Sequence, residues 1–150
     1  MEKPRVIHYV TKALLEIMFY GGIAALIALP FALPTLLGFA GTSTRFQLEY
    51  TLILLSSGLC AVYIVYQLKR MFKTLLSGNP FVMQNVSCLR KCAVASALIA
   101  AIFVLRLFFW FTIAGSLIVV IFALLSLFSI TIKDLFKQAV AYKEETDWTV

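Results

Sequence analysis

Forty consecutive residues, 93–132, carry a single charge, Arg106. A helix of that length measures about 60 Å, twice the ~30 Å hydrocarbon thickness of a bilayer. The run therefore reads as two membrane spans folded back on each other. Their turn belongs where polarity and a breaker coincide, between residues 110 and 116, where Thr112, Gly115 and Ser116 fall. No soluble alternative survives, because 150 residues with 62% hydrophobic content have too much surface for their volume to hide it. Charged residues make up 13%, against roughly 25% in soluble domains. A soluble enzyme, a disordered chain and an ordinary nucleic-acid-binding domain are excluded.

Two further apolar runs complete the chain. Residues 50–68 are free of charge and stop at Lys69-Arg70. Residues 13–37 begin after Lys12, contain Glu16, and carry Pro30 and Pro34 in their second half. Each proline removes an i→i−4 hydrogen bond, so this helix is expected to kink or end around there. If it ends at Leu29, residues 30–41 form an apolar loop at the outer interface; whether the span continues through the prolines is left open. The first run is too long for a signal-peptide core and reads as an uncleaved span. The expectation is an all-α integral membrane four-helix bundle, one domain over residues 1–150. Its spans are near 13–37, 50–68, 93–111 and 114–132, joined by a loop at 69–92 and closed by a tail at 133–150.

Charge orients the bundle. The N-terminal segment holds Lys3, Arg5 and Lys12, the loop holds Lys69, Arg70, Lys73, Arg90 and Lys91, and the tail holds Lys133, Lys137 and Lys143. Eleven of the thirteen basic residues thus lie on one side, leaving Arg45 and Arg106 on the other. Basic loops resist translocation, so both termini and the loop are expected in the cytoplasm. The net charge of +6 reflects this rule, not direct nucleic-acid binding.

Cytoplasmic helical extensions are expected on both sides of the loop. Residues 67–76 can prolong span two. Ser77-Gly78-Asn79-Pro80 then reads as a stop and restart, with Gly78 as a C-terminal cap, Asn79 as an N-cap and Pro80 opening a short helix. Phe72, Leu75, Leu76, Phe81 and Val82 would lie at the interface. In the tail, Ile132, Leu135, Phe136, Ala139 and Val140 form one helical stripe.

The membrane-embedded polar residues admit two readings each. Glu16 is a candidate proton or cation site, or a partner of Lys12 and the headgroups. Arg106 is a candidate anion or headgroup site, or it snorkels outward or pairs with Glu49. Residues 108–111, three phenylalanines and Trp110, resemble an interfacial aromatic belt. Small-residue rows at Ala93, Ala97 and Ala101, with Ser96 and Ala100, and at Gly21, Ala24, Ala25 and Ala28, permit close helix packing within one bundle or in a homo-oligomer. Cys60, Cys88 and Cys92 include no C-x-x-C, and one histidine, His8, supports neither a metal site nor haem. No catalytic residue, metal or cofactor is expected, and the chain is not read as an enzyme.

Two segments carry a family resemblance. Residues 77–81 with Asn85 and Leu89-Arg90-Lys91 resemble a Gly-x-Pro-Phe, Asn, Leu-Arg pattern. Leu135-Phe136 with residues 143–150 is similar to an ending of Glu-Glu-x-Asp-Leu-Thr-Val, with Trp148 in place of the usual Leu. Both belong to the bacterial membrane proteins of the domain-of-unknown-function 2975 family. The resemblance implies four spans without an established activity, often encoded beside a small helix-turn-helix regulator. A docking surface for such a regulator is then expected from Gly78, Asn79, Pro80, Phe81, Asn85 and Arg90 with Glu144, Glu145 and Asp147, whose carboxylates would meet the regulator's basic face. The alternatives are a small oligomeric exporter with Glu16 as the coupling carboxylate, and a membrane immunity or structural protein.

Overall fold

The computed structural model describes residues 6–149. The N-terminal charges Lys3 and Arg5, and the last tail residue Val150, lie outside them. Four helices follow one another: α1 (Val6–Phe39), α2 (Thr44–Leu76), α3 (Met83–Phe109) and α4 (Ile113–Trp148). Each is long and apolar enough to cross a membrane, and no strand occurs among the described residues. The protein is an all-α membrane helical bundle.

The bundle is an open row. α1 touches only α2, α2 touches α1 and α3, and α3 lies between α2 and α4. Neighbours run antiparallel. One end of the row, the loop end, gathers the start of α1, the α2–α3 loop and the last turns of α4. The other, the hairpin end, gathers the α1–α2 and α3–α4 turns.

α3 is the spine because it lies between α2 and α4 and carries most of the buried residues. Cys92, Ala95, Ile99 and Phe103 recur every three or four residues and pack with Ile64 of α2, with Ile118, Val119 and Phe122 of α4 beside them. The Ser126 hydroxyl donates to the Ala93 carbonyl at 2.9 Å, joining α4 to α3 with a buried polar bond. The small-residue row in α3 is only partly internal: Ala93 and Ser96 are buried, whereas Ala97 and Ala101 face outward.

α1 has no buried residue. Its half-buried positions, including Leu15, Phe19, Gly22, Leu26, Leu29 and Leu33, repeat at three and four residues, a single seam against α2. Gly22 lies against Val62 and Gly58 against Leu26; a Cβ at either position would stand 2.9 or 2.6 Å from the opposing side chain. Gly21, singled out from the sequence, meets nothing within 4 Å. The seam is therefore built on Gly22 and Gly58.

One open alternative is decided and one expectation is corrected. α1 runs unbroken through Pro30 and Pro34 to Phe39, so residues 30–39 are helix and not an apolar loop. Each proline frees one carbonyl, that of Leu26 or of Pro30, whereas a break in lipid would leave several backbone groups unpaired, so the helix continues. The correction is at the restart. No short helix opens at Pro80; α3 begins at Met83 with Val82 in the cap position. At the other turn, Thr112 caps α4 by accepting from Gly115 N at 3.3 Å. Gly115 is thus buried within the first turn of α4, and the break falls at residues 110–112.

Candidate functional site

The loop end is tied together by side-chain hydrogen bonds that link α2, the loop, α3 and α4. α2 ends where Gly78 takes φ +82°, a left-handed conformation that favours glycine. Its N–H donates to Leu75 O at 3.3 Å. The chain then crosses to α3 under the control of Asn85, which is fully buried. Asn85 Nδ2 donates to Pro80 O at 2.7 Å, and the Thr74 hydroxyl lies 2.7 Å from Asn85 Oδ1. The Asn85 backbone N–H donates to Val82 O at 2.9 Å. One side chain therefore ties the end of α2, the loop and the start of α3 together. Its two ends are both satisfied, which is what lets an amide sit at zero exposure.

The tail joins this assembly. Lys143 Nζ of α4 donates to Asn79 Oδ1 at 2.9 Å. The rings of Phe81 and Phe136 meet at 5.5 Å between centroids. Val140 is buried and Ala139 half-buried, whereas Ile132 and Leu135 face outward, so the inward stripe of the tail is narrower than the sequence pattern. α4 continues to Trp148 as helix. Glu144, Glu145 and Asp147 are exposed there, and Trp148 is 89% exposed. No basic residue occupies the last turn of α4. Carboxylates at a helix C-terminus oppose the macrodipole, so this end concentrates negative potential.

The nine residues expected to form one docking surface thus divide. Gly78, Asn79, Pro80, Phe81 and Asn85 are brought together with the start of the tail, but Gly78 and Asn85 shape the loop and Asn85 is inaccessible. Glu144, Glu145 and Asp147 stand free on the α4 extension. Arg90 belongs elsewhere. It lines a groove between α2 and α3 with Lys91, Leu59, Cys60 and Tyr63.

The membrane-embedded candidates are also placed. Glu16 is half-buried on the flank of the α1–α2 seam and makes no ion pair with Lys12. Lys69 of α2 reaches the same seam, 5.2 Å from the ring centroids of both Phe19 and Tyr20. Arg106 stacks over Tyr50, with its guanidinium carbon 4.4 Å from the ring centroid. It shares a groove with Glu49, Phe46 and Trp110, but the expected Arg106–Glu49 ion pair is not formed; the ion pair present among the described residues is Lys133–Asp134. A guanidinium near the hairpin end thus finds an aromatic face in place of a carboxylate. Residues that sequence reasoning missed include Thr74, the partner of Asn85, and two buried polar groups. Gln67 and Ser96 are 1% and 0% exposed, and Gln67 Oε1 and Ser96 Oγ have no hydrogen-bond partner among the described residues.

A protein-family model described as "Protein of unknown function (DUF2975)" matches residues 8–150. The chain belongs to the DUF2975 family. No curated protein and no solved structure matches this DUF2975 chain. The match runs through all four helices, the Asn85-centred loop and the acidic tail, so both segments of the resemblance fall inside it.

Proposed function

We propose that this protein is a membrane platform that binds a small, basic helix-turn-helix regulator at its loop end, with that end in the cytoplasm. One observation carries the reading. Glu144, Glu145 and Asp147 stand exposed beside Trp148 on the last turns of α4, a position where helix electrostatics disfavours carboxylates. Lys143, bonded to Asn79, holds the root of that segment against the ordered loop. A basic partner would relieve the concentrated negative potential, and a DNA-binding face occupied in this way cannot also hold DNA. The role is one of binding, not catalysis. Glu16 lends no similar support to transport, because it lies on an outer flank of the α1–α2 seam.

The experiment is co-purification of the full-length protein in detergent with a small, basic helix-turn-helix protein of the kind often encoded beside members of the family. Glu144→Lys with Glu145→Lys should abolish retention while leaving the amount of membrane protein unchanged. A DNA fragment carrying the regulator's operator should elute it. Retention unaffected by the double charge reversal overturns the reading.

A further inference from the structure

The α2–α3 groove holds a second, independent set of observations. Its volume is about 480 Å³. Its walls are apolar, with Leu59 and Tyr63 from α2 and Val94 and Leu98 from α3. Its mouth is polar and basic, formed by Ser87, Arg90 and Lys91 on the first turns of α3. No carboxylate lines it, and no described carboxylate lies within 4.0 Å of Arg90 or Lys91. From Arg90 to Leu98 the helix rises about 12 Å, close to the ~15 Å of one leaflet, half the ~30 Å core. Charge, polarity and depth therefore change together along one groove: cations and a hydroxyl at the mouth, hydrocarbon above.

We propose that this groove is a binding site for an anionic diacyl phospholipid. The phosphate sits at Arg90, Lys91 and the Ser87 hydroxyl, and one acyl chain lies along Leu59, Tyr63, Val94 and Leu98. Three features select a lipid over other occupants. Two adjacent cations without a carboxylate demand an anion. Apart from the Tyr63 hydroxyl and the Cys60 thiol the walls are hydrocarbon, and a soluble anion would leave most of them uncovered. The groove lies open on its outer side, as a site filled laterally from the bilayer must. The lipid would also brace α2 against α3 on the side away from α4. This inference does not depend on the regulator, because Arg90 and Lys91 are separate from the acidic end of α4.

The test is native mass spectrometry of the full-length protein in detergent, titrated with phosphatidylglycerol or with phosphatidylcholine of the same acyl chains. Phosphatidylglycerol should be retained preferentially. Arg90→Gln with Lys91→Gln should weaken its retention about 30-fold, the effect of two basic contacts at a membrane surface. Val94→Trp, which fills the groove and keeps both charges, should weaken both lipids. Lys73→Gln with Lys137→Gln removes the same charge from other positions and should change little. Inorganic phosphate should not compete, since it has no chain to place in the groove. Equal retention of the two lipids, an equal loss in the Lys73 and Lys137 control, or competition by inorganic phosphate overturns the proposal. So does a lipid-independent dimer cross-linked through Val94→Cys, which would assign the groove to a second copy of the chain.

Discussion

α1 and α3 are both long, apolar helices, yet they are built into the molecule in opposite ways. α3 is flanked on two sides and carries most of the buried residues. α1 rests on α2 along one seam and buries nothing fully. In water such an edge helix would be untenable. In lipid the tails are as apolar as leucine, so an exposed isoleucine costs little and association depends on close packing and polar bonds. The difference teaches that apolarity assigns a helix to the membrane, while glycines, hydroxyls and amides assign it a neighbour.

That contrast can be broken by mutation. The largest effect is expected at Asn85→Ala. It removes the side chain that joins Thr74 and Pro80 and takes the amide donor from Pro80 O, while the Thr74 hydroxyl keeps Met71 O at 2.7 Å. The loss of two part-buried bonds is expected to cost about 2–3 kcal/mol. Reversible unfolding in mixed micelles measures it, and a loss below about 1 kcal/mol would show that α3 is held without this clasp. Next comes a matched pair. Ile99→Ala, at a residue 1% exposed, should cost about 2 kcal/mol through the cavity it leaves. Ile27→Ala, at a residue 66% exposed on α1, should stay within about 0.5 kcal/mol. Equal costs would mean that α1 is more enclosed than its seam indicates.

Gly58→Val tests the seam itself. The new side chain meets Leu26, so α1 should be displaced at a cost of about 1–2 kcal/mol. Disulfide trapping between cysteines placed at Gly22 and Val62 should fall, whereas trapping across the α3–α4 contact should not. The last effect has the opposite sign. Ser96→Ala removes a buried hydroxyl that has no partner among the described residues and should stabilise the fold by about 1 kcal/mol. A destabilised Ser96→Ala variant would reveal a hydrogen bond essential to the centre of α3.

Much of the architecture was legible along the chain. The uninterrupted run at 93–132 demanded a hairpin, and its break falls at residues 110–112, at the edge of the expected interval. Gly78 was readable as a helix stop because a left-handed cap favours glycine. Pro30 and Pro34 left the end of span one open along the chain; the helix continues because each proline frees one carbonyl, whereas a break in lipid would leave several backbone groups unpaired. The restart, by contrast, misled. Asn79 had the right residue type for an N-cap, but its carbonyl oxygen is taken by Lys143, 64 positions away, which no local pattern records.

The candidate site followed the same division. Gly78, Asn79, Pro80, Phe81 and Asn85 stood out as a motif, yet only the packing separated the buried clasp at Asn85 from the exposed carboxylates on α4. Arg90 lay in the same motif and turned out to line a different groove. The sequence by itself determined that this chain enters a membrane, has four helices, and gathers its charges at the loop end, because these follow from transfer energies and helix geometry summed over neighbours in the chain. The tertiary structure alone decided that the helices form an open row with α3 inside and α1 at the edge. Helix order in lipid turns on a few close contacts, such as Gly58 on Leu26, Ser126 on Ala93 and Asn85 on Thr74, and those depend on residues far apart in sequence meeting at ångström precision.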